Sequence, residues 1–133
     1  NQPISTLDVF TTIASTIGAK LPSDRTYDGV NLVNKVNKNE EAHASLYWRS
    51  GDAKAIRKGD WKLVISGKNQ QQWLYNLQQD KAENRDVAAQ NPAKVKELSI
   101  ALENWEKGLK KPLWPSLMNY EFTFGKQVYQ VDL

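Results

Sequence analysis

Residues 53–66 read AKAIRKGDWKLVIS. This stretch indicates a β-hairpin, and the fold predicted for the chain is built around that hairpin. The Gly59-Asp60 pair tolerates the backbone angles of a tight hairpin turn, so a strand is expected on each side of it. Side chains alternate along a strand, which gives the second strand one apolar face and one mixed face. The apolar face carries Trp61, Leu63 and Ile65.

Two further strand-like segments flank this hairpin. Ser45–Trp48 precedes it and is followed by the turn Ser50-Gly51-Asp52, while Gln72–Asn76 follows the turn Gly67-Lys68-Asn69. Four short strands joined by short polar turns predict an antiparallel meander. Because one face of that sheet is apolar, another element has to cover it.

The covering element is predicted to be a long helix. Asn91 is a good N-cap residue and Pro92 suits the first helical position, while Pro112 should end the helix by Lys111. The apolar residues of this segment recur at steps of three and four, as in a helix with one buried stripe. They are Val95, Leu98, Leu102, Trp105 and Leu109.

The N-terminal segment predicts a second helix, with Ser5 as its cap, Asp8 in its first turn and Gly18 at its end. Residues 20–39 are polar and interrupted by turn-forming residues, which indicates an irregular connector. The predicted class is therefore α+β: a four-stranded antiparallel meander packed against one long helix, with an N-terminal helix and an irregular connector. Residues 122–131 are expected to add a strand or to lie across the core.

Composition narrows the function classes. The chain has 133 residues, no cysteine and a formal net charge of +3. The absence of cysteine excludes a disulfide framework, a thiolate zinc site and a cysteine nucleophile within this chain. The mild positive charge permits a polyanionic partner without selecting one. No apolar run is long enough to cross a bilayer.

Few residues are arranged for catalysis. His43 is the only histidine, and no Gly-x-Ser-x-Gly motif accompanies it, so a Ser-His-Asp triad is not expected. No acidic residues or histidines show metal-ligand spacing, so no metal site is expected in this chain. A basic cluster on the meander has two interpretations, a polyanion-binding surface or a solvated strand face. It consists of Lys54, Arg57, Lys58, Lys62 and Lys68.

Four blocks, in this order, resemble arylsulfatase-type sulfatases. PISTLDVFTTI (3–13) with DGVNL (28–32) resembles the stretch that closes their catalytic domain. LYWR (46–49) is similar to the first strand of their smaller C-terminal subdomain, and AIRKGDWKLV (55–64) to its most recognisable hairpin. WLYNL (73–77), followed by Asp80, Glu83 and Asn84, resembles the next strand and turn.

This resemblance implies that a parent protein hydrolyses sulfate esters and lies in the periplasm or outside the cell. It implies that residues 1–44 are the helix and connector from the end of the catalytic domain, and 45–133 the C-terminal subdomain. The family's formylglycine nucleophile arises in a Cys/Ser-x-Pro-Ser-Arg motif and works with a divalent cation, usually calcium. Residues 21–25, LPSDR, lack the Cys or Ser and carry an extra aspartate.

We therefore expect no catalytic residue and no cofactor in this chain; calcium and the formylglycine residue would lie upstream in the parent. The expected partners are the N-terminal catalytic domain of the same polypeptide and, through the parent, a sulfated small molecule or glycan. Neither a membrane nor nucleic acid is expected to bind. The isolated chain should hydrolyse no sulfate ester.

Three residues that flank the first strand are candidates for one wall of the substrate cleft: His43, Trp48 and Arg49. An arginine can hold a sulfate with paired hydrogen bonds, a tryptophan can stack on a sugar ring, and a histidine can donate to an oxygen. The alternative is that Trp48 belongs to the core, that Arg49 pairs with a surface acid, and that His43 is a loop residue.

A second hypothesis makes the chain a stand-alone binding module for sulfated glycan or nucleic acid. The two hypotheses differ in the surface that they require. A subdomain of a larger enzyme should leave apolar side chains of its N-terminal helix without partners. A stand-alone module should have a closed core and a contiguous basic patch.

Overall fold

The computed structural model describes residues 2–67, 70–111, 113, 119–124 and 127–132. The helices are α1 (Leu7–Thr16), α2 (Leu32–Asn37) and α3 (Pro92–Glu106), and the strands are β1 (Leu46–Ser50), β2 (Ala53–Lys58), β3 (Trp61–Ile65), β4 (Gln72–Asn76), β5 (Asn119–Phe124) and β6 (Gln127–Asp132). The chain forms two compact units, an N-terminal unit, Asn1–Leu46, and a C-terminal unit, Tyr47–Leu133. The α+β prediction is confirmed.

The four-stranded sheet is the predicted meander, with strand order β1-β2-β3-β4. Ile56 of β2 lies opposite Leu63 of β3, and Leu63 lies opposite Leu74 of β4. Gly51 and Gly59 adopt positive φ angles of 56° and 58° in the hairpin turns, a conformation that costs glycine little. The turn at Gly59 sets the register between β2 and β3, which brings Ile56 and Leu63 onto one face.

Helix α3 covers that face. Leu98 and Leu102 are buried against the apolar residues of β2, β3 and β4. Asn91 stands at the N-cap as predicted, but its Nδ2 donates to the carbonyl oxygen of Val87 at 2.9 Å instead of its side chain capping the helix. The helix ends at Glu106, before the predicted limit.

Two residues of β4 are buried on the reverse face of the sheet. Trp73 and Tyr75 of β4 are fully buried there, opposite Val64 and Lys62 of β3. The alternation within β3 predicted only one apolar face. The second buried layer comes from β4, whose apolar residues lie on both faces.

The N-terminal unit departs from the prediction in two respects. The N-cap of α1 is Thr6, without a side-chain cap hydrogen bond, where Ser5 was expected. The connector contains a short helix, α2, which begins where the Asn31 side chain accepts the Asn34 backbone N–H at 3.1 Å. Asparagine at an N-cap is a recognised start signal, so the sequence did carry the information. The end of α1 agrees with the prediction, since Gly18 follows it with a φ angle of 71°.

The C-terminal strands β5 and β6 pair in antiparallel register as a separate two-stranded sheet. Of the two arrangements expected for residues 122–131, strand formation is observed at residues 122–124 and 127–131.

Candidate functional site

A buried carboxylate organises the N-terminal unit. Asp8 of α1 is 0% exposed. Its Oδ1 accepts the Val30 N–H at 2.9 Å, and its Oδ2 accepts the Ser5 N–H at 2.7 Å. The Nε2 atom of His43 lies 2.8 Å from Oδ1 and 2.9 Å from Oδ2. The carboxylate therefore joins the start of α1, the connector and the segment that leads into β1.

The protonation of this site follows from its hydrogen bonds. Burial acts to raise the pKa of Asp8, but the N–H groups of Ser5 and Val30, together with His43, outweigh that effect and hold the pKa below its ordinary value of 3.8. An ionised carboxylate can only accept hydrogen bonds, so Nε2 is the nitrogen of His43 that donates.

Helix α1 turns its polar side toward the connector. Thr11 is buried, and its Oγ1 donates to the Val30 carbonyl oxygen at 2.8 Å. The Leu32 N–H donates to the Oγ1 of Thr12 at 3.0 Å. A Cβ on Gly29 would lie 2.1 Å from the carbonyl oxygen of Leu7, so this close approach requires glycine.

The apolar side of α1 is exposed as a consequence. We call Leu7, Val9, Phe10, Ile13 and Ile17 the apolar face of α1; their exposed fractions run from 53% at Val9 to 73% at Ile17. An amphipathic helix usually buries its apolar side and presents its polar side to solvent. Contiguous exposed apolar side chains mark surfaces that another element or molecule covers.

The three cleft candidates are divided between the two units. His43 lies in the N-terminal unit and is 12% exposed, with its Nε2 engaged by Asp8. Trp48 lies on β1 in the C-terminal unit and is 47% exposed. Its neighbour Tyr47 stacks on Trp105 of α3, with ring centroids 5.0 Å apart, so Trp48 points to the opposite face of the strand.

Arg49, the third candidate, is held at the C-terminal end of α3. Its Nη2 donates to the carbonyl oxygen of Lys110 at 3.3 Å, and its Nη1 lies 3.8 Å from Glu106 Oε1. Glu106 also accepts a hydrogen bond from Lys54 Nζ at 2.7 Å. The guanidinium group therefore has protein partners in this structure, and a contact with substrate stays a prediction.

The basic cluster is largely neutralised by acidic partners. Lys94 and Lys58 together lower the pKa of Glu97 to about 2. Arg57 Nε donates to the carbonyl oxygen of Gly59 at 3.2 Å, and Lys68 lies outside the described residues. Three lysines of the cluster bond to glutamates: Lys54 to Glu106, Lys58 to Glu97 and Lys62 to Glu83. This pairing argues against the binding-module hypothesis, which needs cations without acidic partners.

Metal ions and membranes are two further kinds of partner that a protein can bind. Within the described part of the chain, no three His, Asp or Glu side chains come together as a potential metal site. The calcium ion that the sequence resemblance implies is expected upstream in the parent. None of the helices in the described ranges is long and apolar enough to span a membrane.

Sequence prediction missed the Asp8–His43 pair. Asp8 was interpreted only as a helix-start carboxylate, and His43 as a loop or cleft residue. The available signal was weak: a lone histidine, and one aspartate in the first turn of a helix that carries no other charge. Nothing in their spacing indicates that the two side chains meet.

Comparison with known proteins gives matches among solved structures. No family model matches the chain, and no curated protein does. Ps i-CgsB, solved in complex with k-i-k-neocarrahexaose, is 30% identical over 86% of this chain and 27% of its own, with a TM-score of 0.72. BT33336S-sulf, from work on glycosaminoglycan metabolism in Bacteroides thetaiotaomicron, is 26% identical over 75% of this chain and 24% of its own, with a TM-score of 0.57.

A third solved structure, BT1596, a 2-O GAG sulfatase, is 18% identical over 77% of this chain, with a TM-score of 0.62, which shows a likeness of fold. This chain spans about a quarter of the length of these three proteins. Solved structures similar to it are sulfatases. The resemblance seen in the sequence is thereby confirmed: the chain is similar, over most of its length, to the C-terminal region of sulfatases.

Proposed function

We propose that the chain is the C-terminal subdomain of a sulfatase, a sulfuric ester hydrolase, and that it braces the catalytic domain of the same polypeptide. In this proposal residues 1–44 complete the catalytic domain and residues 45–133 form the subdomain. The observation that carries it is the exposed apolar face of α1. About three quarters of each similar sulfatase lies outside the matched region, which leaves enough chain for a separate catalytic domain.

The bracing role is tested by removing apolar area from that face. In the full-length protein, Ile13→Ser should lower the free energy of unfolding by about 1.5–3 kcal/mol, because a side chain buried at the interface loses its apolar contacts. In this chain alone the change should be much smaller, since Ile13 is 55% exposed. Denaturant unfolding of both proteins measures the difference.

The matched control is Ile100→Ser, which alters an isoleucine on α3 that is 47% exposed but lies outside the apolar face of α1. It should change stability little in either protein. Equal effects of the two substitutions in the full-length protein would show that the apolar face of α1 is not an interface.

The chain alone is proposed to be inactive, because sulfate transfer needs a nucleophile and a cation that offsets charge on the sulfuryl oxygens. In the parent, calcium and formylglycine would supply these functions from upstream. An assay of the purified chain with an aryl sulfate should give no product above buffer background, with or without added calcium. Turnover that survives repurification and disappears in His43→Ala would contradict this.

The substrate of the parent is proposed to be a sulfated glycan or a sulfated small molecule. Ps i-CgsB has been solved with a neocarrahexaose, and BT33336S-sulf comes from work on glycosaminoglycan metabolism. We propose a periplasmic or extracellular location for the parent on the same basis.

The finer part of the proposal is that Trp48, Arg49 and His43 line one wall of the substrate cleft. Trp48 is supported by its exposed aromatic surface, which can stack on a sugar ring. Arg49 would have to share its guanidinium group between Glu106 and a sulfate. His43 could reach a ligand only through Nδ1, since Nε2 is bonded to Asp8.

In the full-length enzyme with its natural substrate, Trp48→Ala and Arg49→Ala should each lower kcat/KM by about tenfold, the effect of losing one moderate contact in the transition state. Arg57→Ala is the matched control, because Arg57 is a basic residue of the same sheet that bonds to Gly59. If Arg49→Ala and His43→Ala leave kcat/KM unchanged in folded protein, the chain is only a brace.

A further inference from the structure

The N-terminal unit contains an unusual arrangement in which a helix is anchored through its polar side. Asp8 receives donors from three separate segments: Ser5, Val30 and His43. Thr11 and Thr12 add hydrogen bonds between the same side of α1 and residues 30–32. On the apolar face of α1, Phe10 stacks on Tyr27 with ring centroids 5.9 Å apart, and every residue of the face is still more than half exposed.

We propose that His43 is a positioning residue. Its Nε2–H donates a hydrogen bond to the buried carboxylate of Asp8, and this contact, which we call the lock, holds the polar side of α1 against the connector at Val30. The lock thereby keeps the apolar face of α1 turned outward. The inference rests on the proposed function only in its last step, namely that a sulfatase catalytic domain covers that face.

The geometry makes His43 the decisive donor. Its Nε2 lies within 2.9 Å of both carboxylate oxygens, so one N–H is shared between them. The other donors are backbone N–H groups, which no side-chain substitution removes. A buried carboxylate that loses a charge-assisted partner is strongly destabilised, so the contact between α1 and the connector depends on residue 43.

The length of α1 explains why such a lock is needed. The helix has 10 residues, and an isolated helix this short is marginal in water. Without fixed polar contacts, α1 would lower its free energy by rotating until its apolar side is buried, as in most amphipathic helices. The contact between His43 and Asp8 opposes that rotation.

The first test examines the unaltered chain by nitrogen NMR of the imidazole ring. His43 is the only histidine, so one ring gives all the signals. We expect the proton on Nε2, with exchange at least about tenfold slower than in free imidazole, because opening of the site is needed for exchange. An unprotonated Nε2, or a proton that exchanges at the free rate, overturns the proposal.

The second test compares two substitutions by amide hydrogen exchange. His43→Leu keeps the bulk of the side chain and removes the donor, whereas His43→Gln retains an N–H donor. The Val30 amide should exchange about tenfold faster in the leucine variant, and the glutamine variant should recover part of that protection. The exchange rate of the Leu63 amide in β3 is the reference, because it shows whether the C-terminal unit stays folded.

Each outcome of the exchange experiment decides the question. The lock is supported if exchange at Val30, or throughout residues 2–46, becomes faster and if this acceleration is larger in the leucine variant than in the glutamine variant. Unchanged exchange at Val30, or equal acceleration in both variants, overturns it. Neither experiment uses sulfatase activity, so failure of the lock is distinct from failure of the bracing role, which Ile13→Ser tests in the full-length protein.

Discussion

Leu102→Ala is expected to lower the free energy of unfolding of the C-terminal unit by about 2–5 kcal/mol, the range for truncating a buried leucine. Leu102 is 1% exposed and packs between α3 and the sheet with Leu98, Ile56 and Leu63. The substitution removes three carbon atoms, one methine and two methyl groups, and leaves a cavity that α3 can close only in part. Urea unfolding followed by tryptophan fluorescence measures the loss.

Leu113→Ala is the matched control for this prediction. Leu113 is 90% exposed, so the same chemical change should alter stability by no more than about 0.5 kcal/mol. If the two variants unfold at the same urea concentration, α3 does not form the core of the unit in solution.

Asp8→Asn is expected to destabilise the N-terminal unit by about 3–5 kcal/mol, because it removes a buried carboxylate that accepts from three donors and leaves buried N–H groups without an acceptor. The asparagine amide would present N–H groups where the structure supplies donors from Ser5, Val30 and His43. Thermal unfolding followed by NMR signals of α1 residues reports this unit separately from the sheet.

Asp24→Asn provides the matched control, since the Asp24 carboxylate is exposed and pairs with Arg25 at 2.8 Å. Exposed ion pairs contribute little, so this change should leave the stability of the unit almost unchanged. Equal losses in the two variants would mean that burial of Asp8 does not contribute to folding.

The same residue predicts a dependence on pH. The pKa of Asp8 is lower in the folded state than its ordinary value of 3.8, so the unfolded chain binds the proton more tightly. The stability that Asp8 contributes is therefore complete above the ordinary pKa and is lost as the pH falls through the lower, folded-state pKa. The difference in stability between the unaltered chain and Asp8→Asn should shrink as the pH falls through the folded-state pKa of Asp8.

Local signals in the sequence determined the sheet and its covering helix. The Gly-Asp pairs at Gly51 and Gly59 indicate tight hairpin turns, because glycine tolerates the positive φ angles that these turns need. The alternation of side chains along β3 indicates which of its two faces is apolar. The spacing of Leu98 and Leu102 places both on one side of α3. These features depend on residues a few positions apart, so they can be read without knowing where the rest of the chain lies.

Only the tertiary structure decided which polar groups meet. Asp8 and His43 are 35 positions apart, and Arg49 donates to a carbonyl oxygen 61 positions away. A carboxylate in a first helical turn is equally compatible with solvent and with burial, and the choice depends on donors that folding brings to it. For this reason the sequence showed that α1 is amphipathic, while the hydrogen bonds of Asp8 determined that its polar side turns inward.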